Sequence, residues 1–207
     1  MRDGRAGLNL ALVGAFAIAL GVAAPVAGHA QEWSGNEGST IAGPNIDDYL
    51  KEVGPEGKFI PHGALKIDGK SVYCGKRPTV FNPNFDSWGG AFPGFLILND
   101  KKINGLSTQV KLYIYSHECG HQFIGADETK ADLFAIRRGV KWGWLDAQGV
   151  EDICTFISQL KGDSVHPPGP QRCETMRKYY RELVDGAGQQ ANAPVSTTKA
   201  QTLGPSQ

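Results

Sequence analysis

The sequence predicts an α+β fold, in which a small antiparallel β-sheet is followed by four helices. Short apolar stretches between turn residues fill the first half of the chain, and apolar residues recur at helical spacing in the second half. Glycines stand near the expected ends of the helices. The 207 residues, 41% of them hydrophobic, suit one folded domain, expected over residues 46–185.

The strand signals come first along the chain. Residues 64–67 and 70–73 flank Asp68-Gly69, a turn signal for a two-residue hairpin. Residues 78–82 are a further short extended stretch. The apolar residues 94–98, bounded by Pro93 and Asn99, predict a buried or half-buried strand.

Four helices are predicted next, at residues 107–123, 127–138, 146–160 and 170–184. Ser107 can cap the first of them. Spacings of three and four residues give that helix one shared face, made of Leu106, Val110, Tyr113, Ile114, His117 and His121.

The N-terminus predicts export. Arg2 and Arg5 precede an uncharged run of 17 residues, Leu8–Ala24, and small residues lead to Ala30, so residues 1–30 are predicted to be a cleaved signal peptide. An uncleaved membrane anchor is the alternative, although the run is at the lower limit for a span. After cleavage we expect no stable membrane insertion. Residues 31–45 are predicted to be a flexible lead-in and residues 186–207 a disordered tail.

An exported chain with an even number of cysteines predicts disulfides. Three pairings of the four cysteines are open; short separation favours Cys154 with Cys173, which leaves Cys74 with Cys119. Buried free thiols are the alternative, and a four-cysteine metal site is disfavoured because no two cysteines have close ligand spacing. The 21 basic and 21 acidic residues cancel, so no nucleic-acid partner is predicted. Nothing indicates the oligomeric state.

The clearest chemical motif is His117-Glu118-Cys119-Gly120-His121, which matches the pattern H-E-x-x-H. Residues four apart lie one above the other on a helix, so both imidazoles can reach one zinc ion at about 2.0–2.1 Å. Glu118 stands one residue round the helix, where a general base is needed. The alternative is two polar histidines on an ordinary helix. However, they continue an apolar face, and buried imidazoles need partners.

A third zinc ligand is expected from the second helix. Glu128 and Asp132 are four residues apart, and Ala131 is small enough to let the two helices approach closely. We assign Glu128 as the ligand and Asp132 as the carboxylate that orients a histidine through its other ring nitrogen. The alternative is two solvated acids at a helix N-terminus.

Residues 166–172 form a proline-rich stretch from His166 to Arg172. These two side chains could stabilise the oxyanion that forms when water attacks a peptide carbonyl. Taken alone the signal is weak, because a histidine before proline is more often a surface loop residue.

The three motifs in this order, H-E-x-x-H, E-x-x-A-D and H-P-x-x-x-x-R, resemble those of the gluzincin peptidases related to CAAX prenyl endopeptidase and the HtpX-type membrane proteases. The chain resembles more closely their small exported bacterial relatives without transmembrane helices. The similarity covers about residues 74–176. It implies that the four helices form a metallopeptidase region with zinc ligands His117, His121 and Glu128, the base Glu118, and substrate-facing His166 and Arg172.

One departure from the family is the spacing of seven residues between His121 and Glu128, where larger members have a longer insertion. Gly125 could provide the sharp turn that so short a link requires. Asp127 is an alternative third ligand, six residues after His121 as in the metzincin pattern. That pattern needs glycine where this chain has Ile124, so we favour Glu128.

The resemblance predicts an enzyme, a zinc metalloendopeptidase that acts on peptide or protein substrates in the bacterial cell envelope. The periplasm is the expected location, and secretion into the medium is the alternative. A second hypothesis is a non-hydrolytic, zinc-stabilised envelope chaperone or binding module. Its motivation is the short ligand spacing and the lack of a recognisable peptide-binding segment.

Overall fold

The computed structural model describes residues 43–164 and 166–191, and for residues 187–191 it describes the backbone alone. These residues form a mixed α/β fold with six α-helices and a small sheet. The helices are α1 (Ile46–Val53), α2 (Asp100–Ile103), α3 (Thr108–Ile124), α4 (Glu128–Lys141), α5 (Ala147–Ile157) and α6 (Gly169–Ala191). The strands are β1 (Lys58–Ile60), β2 (Lys66–Ile67), β3 (Lys70–Ser71), β4 (Thr79–Phe81), β5 (Gly89–Phe92) and β6 (Phe95–Leu98). The predicted signal peptide, most of the lead-in and residues 192–207 of the predicted tail lie outside the described residues.

The main sheet is mixed, so the prediction of an antiparallel sheet was wrong in one respect. Its strand order is β1-β4-β6-β5, and β4 pairs with β6 in parallel while the other neighbours are antiparallel. The reason is the unpredicted strand β5. It reverses the chain between β4 and β6, so those two strands run in the same direction.

The predicted hairpin is confirmed as a separate two-stranded unit of β2 and β3. Asp68 and Gly69 have φ values of 47° and 81°. Positive φ at both central residues is the requirement of the type I′ turn that matches the twist of a hairpin.

Helices lie in all four segments of the second half where helices were expected, with shifted ends. α4 continues past Gly139, its predicted end, to Lys141. Gly139 instead makes room for Leu145, since a Cβ added at Gly139 would lie 2.6 Å from the Cβ of Leu145. α6 continues to Ala191, past the expected start of the tail. The short helices α1 and α2 and the strand β1 were not predicted. Asn45 caps α1 by accepting the Asp48 N–H.

α3 is at the centre of the main hydrophobic core and packs against α4, α5 and β5. Two disulfides tie this region together, Cys74–Cys119 on α3 and Cys154–Cys173 between α5 and α6. Both favoured pairings are therefore confirmed. Among the described residues, no helix combines the length and the apolar character needed to cross a membrane.

Candidate metal centre

The centre is built on the hairpin of α3 and α4. α3 ends at Gly125, whose φ of 74° and ψ of −155° turn the chain sharply, as the short link requires. The two helices approach closely where Gly120 faces Ala131: a Cβ added at Gly120 would lie 3.2 Å from the Ala131 Cα. This close approach brings the first turn of α4 up to the histidines of α3.

Three side chains from the hairpin converge on one point. The Nε2 atoms of His117 and His121 are 3.1 Å apart, and each lies 3.2 Å from a carboxylate oxygen of Glu128. His117 and Glu128 are buried, with 8% and 7% of their surfaces exposed. These three residues could hold a metal ion.

The hydrogen bonds of the two Nδ1 atoms determine the tautomer of each ring, and so determine that Nε2 has the lone pair. His121 Nδ1 is 2.7 Å from the carbonyl oxygen of Gly125, and His117 Nδ1 is 2.9 Å from Asp132 Oδ1. Carbonyl and carboxylate oxygens only accept, so in each neutral ring Nδ1 carries the proton. Both Nε2 atoms then offer lone pairs to the same space, beside a carboxylate. Such a donor set fits a divalent cation.

The electrostatics of the cluster also favour a cation. Burial disfavours a charged His117 ring, but hydrogen bonds and charges from Asp132 and Glu128 outweigh it and raise the pKa of His117 to about 10. Burial would raise the pKa of Glu128, but its contacts with His117 and His121 hold that pKa well below the usual range. The negative potential that favours a protonated His117 ring would also attract a metal ion.

The spacing of the two ring nitrogens and the two Glu128 oxygens is close to the spacing of ligand atoms around a tetrahedral zinc ion. Ligand atoms 2.0–2.1 Å from a zinc ion at tetrahedral angles are about 3.3–3.4 Å apart. The observed separations of 3.1–3.2 Å lie near this value. In the part of the chain that the structure describes, the group that can share one ion has only these three members. Closure by four protein side chains, typical of structural zinc, is therefore not seen there.

Asp127, the alternative ligand, has a different role. It is the N-cap of α4, and its carboxylate accepts the N–H of Lys130 and pairs with the Lys130 ammonium group. The side chain is exposed. Glu128, the next residue, turns inward to the histidines.

Glu118 lines the same cleft as the three candidate ligands without being one of them. Burial raises the pKa of its carboxyl, and the neighbouring histidines oppose the rise. Its place depends on Gly89 in β5, because a Cβ added there would lie 2.9 Å from the Glu118 Cγ. No sequence signal pointed to Gly89.

Behind the histidines lies a buried network centred on Asp132. Arg172 donates to both Asp132 oxygens at 2.8 and 2.7 Å, and its Nη2 lies 3.4 Å from Glu128 Oε2. The hydroxyl of Tyr113 also donates to Asp132. Asp132 therefore contacts a histidine as expected. Tyr113 was missed as a site residue, although it stands four residues before His117 on the same helix face.

Arg172 and His166 both line the cleft, but their contacts differ. The polar partners seen for Arg172 are Asp132, Glu128 and Tyr113, which suits a residue that positions Glu128 and Asp132 rather than one that waits for an oxyanion. His166 is half-buried; its Nδ1 pairs with Asp163, and its Nε2 lies 3.6 Å from Glu128 Oε1. His166 is thus the better placed of the two to meet a substrate.

The cleft itself has a volume of about 430 Å³. β5 forms one wall with Gly89, Gly90 and Ala91, and a largely apolar wall is made by Trp88, Phe156, Ile157 and Leu160. A cleft of this size and composition is typical of a ligand site.

Compared with known proteins, the chain matches no family model, no curated protein and no solved structure. The resemblance to the gluzincin peptidases therefore depends on the three sequence motifs alone.

Proposed function

We propose that this protein is a zinc-dependent endopeptidase of the gluzincin type. One observation carries the proposal: two imidazole Nε2 atoms lie 3.1 Å apart, and each lies 3.2 Å from one of the two Glu128 carboxylate oxygens, beside Glu118 in an open cleft. A purely structural metal site has no need for Glu118 or for an open coordination position.

Zinc held by His117, His121 and Glu128 would acidify water and polarise a carbonyl group. Glu118 accepts the proton of the attacking water and later delivers it to the leaving amine. Glu118 is partly buried, and burial raises the pKa of its carboxyl, which suits a group that must first take up the proton of the water and then release it.

His166 stabilises the negative charge that develops on the carbonyl oxygen of the substrate. Asp163 accepts the Nδ1 proton of the ring at 2.9 Å, so it is the imidazolium form of His166 that can donate its Nε2 proton into the cleft. Arg172, predicted with His166 for this task, acts in the proposal as a positioning residue that fixes Asp132 and Glu128 from behind.

A peptide is the favoured substrate because β5 is an edge strand that lines the cleft. An edge strand offers unpaired N–H and C=O groups to an extended chain, and main-chain pairing of this kind binds peptides with little regard to sequence.

We place the activity in the bacterial cell envelope, most simply the periplasm, with secretion into the medium as the alternative. The two disulfides are consistent with an oxidising compartment, and the absence of a spanning helix from the described residues is consistent with export.

The test is the substitution Glu118→Gln, with Glu174→Gln on the exposed face of α6 as the matched control. Purified wild-type protein should carry about one zinc per chain by elemental mass spectrometry, and it should cleave unfolded casein in a chelator-sensitive reaction. Glu118→Gln should retain zinc and lose about 10²–10⁴-fold in rate, the range for a general base. The control variant should keep both. Unchanged cleavage in Glu118→Gln would reject the assignment.

The alternative, a zinc-stabilised chaperone or binding module, makes the opposite forecast. Chelation would then unfold the protein, while casein would remain intact with and without metal. Unfolding after chelation and cleavage of casein are therefore the two measurements that decide between the hypotheses.

A further inference from the structure

A second, smaller pocket adjoins the main cleft on the other side of His121. It has a volume of about 180 Å³ and shares Ala91 and His121 with the cleft. The remaining lining comes from the end of β5 and its turn, Phe92–Gly94, together with Arg77 and Gln122. The two pockets therefore meet at His121, one of the three candidate ligands, and residues of the edge strand β5 line both.

Arg77 is held rigidly in the smaller pocket. Its Nε donates to Gln122 Oε1 at 2.8 Å, its Nη2 donates to the Gln122 carbonyl oxygen at 3.3 Å, and its guanidinium lies 4.6 Å above the ring of Phe123. Gln122 is fixed in turn, because its Nε2 donates 2.7 Å to the carbonyl oxygen of Phe92. The arginine therefore loses little conformational freedom when it binds a ligand.

The charge of Arg77 is not neutralised by the protein in the part that the structure describes. Arg172 and Arg177 pair with carboxylates, whereas the hydrogen bonds of Arg77 seen in this part go to the neutral side chain and the backbone of Gln122. No hydrogen bond from its Nη1 is seen among the described residues. A fixed guanidinium with a spare donor edge in a pocket is the usual receptor for a carboxylate.

The main cleft has the opposite character at its far end. Trp88 and Phe156 meet edge to face with ring centroids 5.0 Å apart, and Ile157 and Leu160 stand beside them. This wall suits a large apolar side chain. Along β5, the apolar wall lies at the Trp88 end and Arg77 at the Phe92 end.

We propose that Arg77 makes this protein selective for peptides with an acidic residue on the N-terminal side of the cleaved bond and a large apolar residue on the C-terminal side. The inference rests on the proposed peptidase function. The direction follows from antiparallel pairing with β5, which is the more stable arrangement per residue. A substrate running against β5 has its N-terminal part near Phe92 and Arg77 and its C-terminal part near Trp88.

The first experiment digests a mixture of synthetic peptides of random sequence with the zinc-loaded protein and identifies the cut sites by mass spectrometry. We expect Asp and Glu to be enriched about tenfold on the N-terminal side of the cut bond, the size of one charge-assisted hydrogen bond. Arg77→Glu should shift the preference to Lys and Arg. The matched control Arg181→Glu makes the same charge change on an exposed face of α6 and should keep the wild-type preference. An unchanged preference in Arg77→Glu would overturn the inference.

A second measurement separates this inference from the peptidase proposal. Fluorescence anisotropy would follow the binding of a labelled hexapeptide with Asp-Phe at its centre, and of its Asn-Phe counterpart, to the Glu118→Gln variant. The Asp peptide should bind about tenfold more tightly, and Arg77→Glu in the same background should abolish the difference. If the Asp peptide binds more tightly than the Asn peptide but the wild type cleaves neither, the peptidase proposal is rejected and the acidic-ligand pocket is supported. Equal binding of the two peptides would reject the pocket, whether or not the protein cleaves.

Discussion

The turn at Gly125 provides a sharp test of the candidate centre, because the chain contains a matched control. Gly125 ends α3 with φ 74° and ψ −155°, and Gly54 ends α1 with φ 72° and ψ −152°. In both places the glycine N–H donates to the carbonyl oxygen four residues earlier. Alanine at either position meets the same backbone strain, which costs about 1–3 kcal/mol. Gly125→Ala and Gly54→Ala should therefore lower the free energy of unfolding by similar amounts.

Their effects on metal binding should differ. The carbonyl oxygen of Gly125 accepts the Nδ1 proton of His121 at 2.7 Å, while Gly54 is not near the cluster of candidate ligands. Loss of such an orienting hydrogen bond typically weakens metal affinity 10- to 100-fold. We expect this loss in Gly125→Ala only, measured by competition for zinc with a chromogenic chelator, with urea unfolding of both variants alongside. Equal zinc affinity in the two variants, at equal stability, would refute the orienting role of the turn.

Three further predictions concern the surroundings of the site. Asp132→Asn removes the carboxylate that accepts two hydrogen bonds from the buried Arg172, so it should lower the free energy of unfolding in urea by about 3 kcal/mol and weaken zinc binding 10- to 100-fold; zinc affinity like that of the wild type would contradict the network. Gly89→Ala would put a Cβ 2.9 Å from the Glu118 Cγ, so turnover should fall about 100-fold while zinc content stays the same; full activity would show that Glu118 can adjust. Replacing both Cys154 and Cys173, 19 residues apart, with serine should cost about 3 kcal/mol of unfolding free energy, and a midpoint like that of the wild type would contradict the link.

Long periodic segments were predictable from the sequence, and short ones were not. The 17 residues of α3 carry several turns of apolar periodicity and a serine cap. The eight residues of α1 and the three of β1 give too few positions for a period to stand out.

β5 was not predicted, for a different reason. It begins with two glycines, which have low strand propensity. Tertiary contacts decide its conformation: Glu118 and Phe85 occupy the space where side chains at Gly89 and Gly90 would lie. Without this strand, the parallel pairing of β4 and β6 could not be foreseen.

The parts of the site that follow from helix geometry were predictable. The spacing of four residues brings His117 and His121 together, and the same spacing in α4 orients Glu128 and Asp132 to one side. Contacts across the fold were not predictable. Arg172 meets Asp132 from α6, 40 residues further along the chain, and the sequence alone could not distinguish that partner from a substrate.

The compact spacing of the candidate ligands has a consequence for how this protein would acquire a metal ion. All three lie between positions 117 and 128, on two helices joined by one tight turn. The entropy cost of closing a loop rises with its length, so capture of an ion by these ligands demands little prior order in the rest of the chain. We therefore expect that metal capture would be an early folding event that nucleates the helical hairpin, with the sheet forming afterwards. Pulsed hydrogen exchange during refolding with zinc should show the amides of α3 and α4 protected ahead of those of β4 and β6, and simultaneous protection would argue against this order.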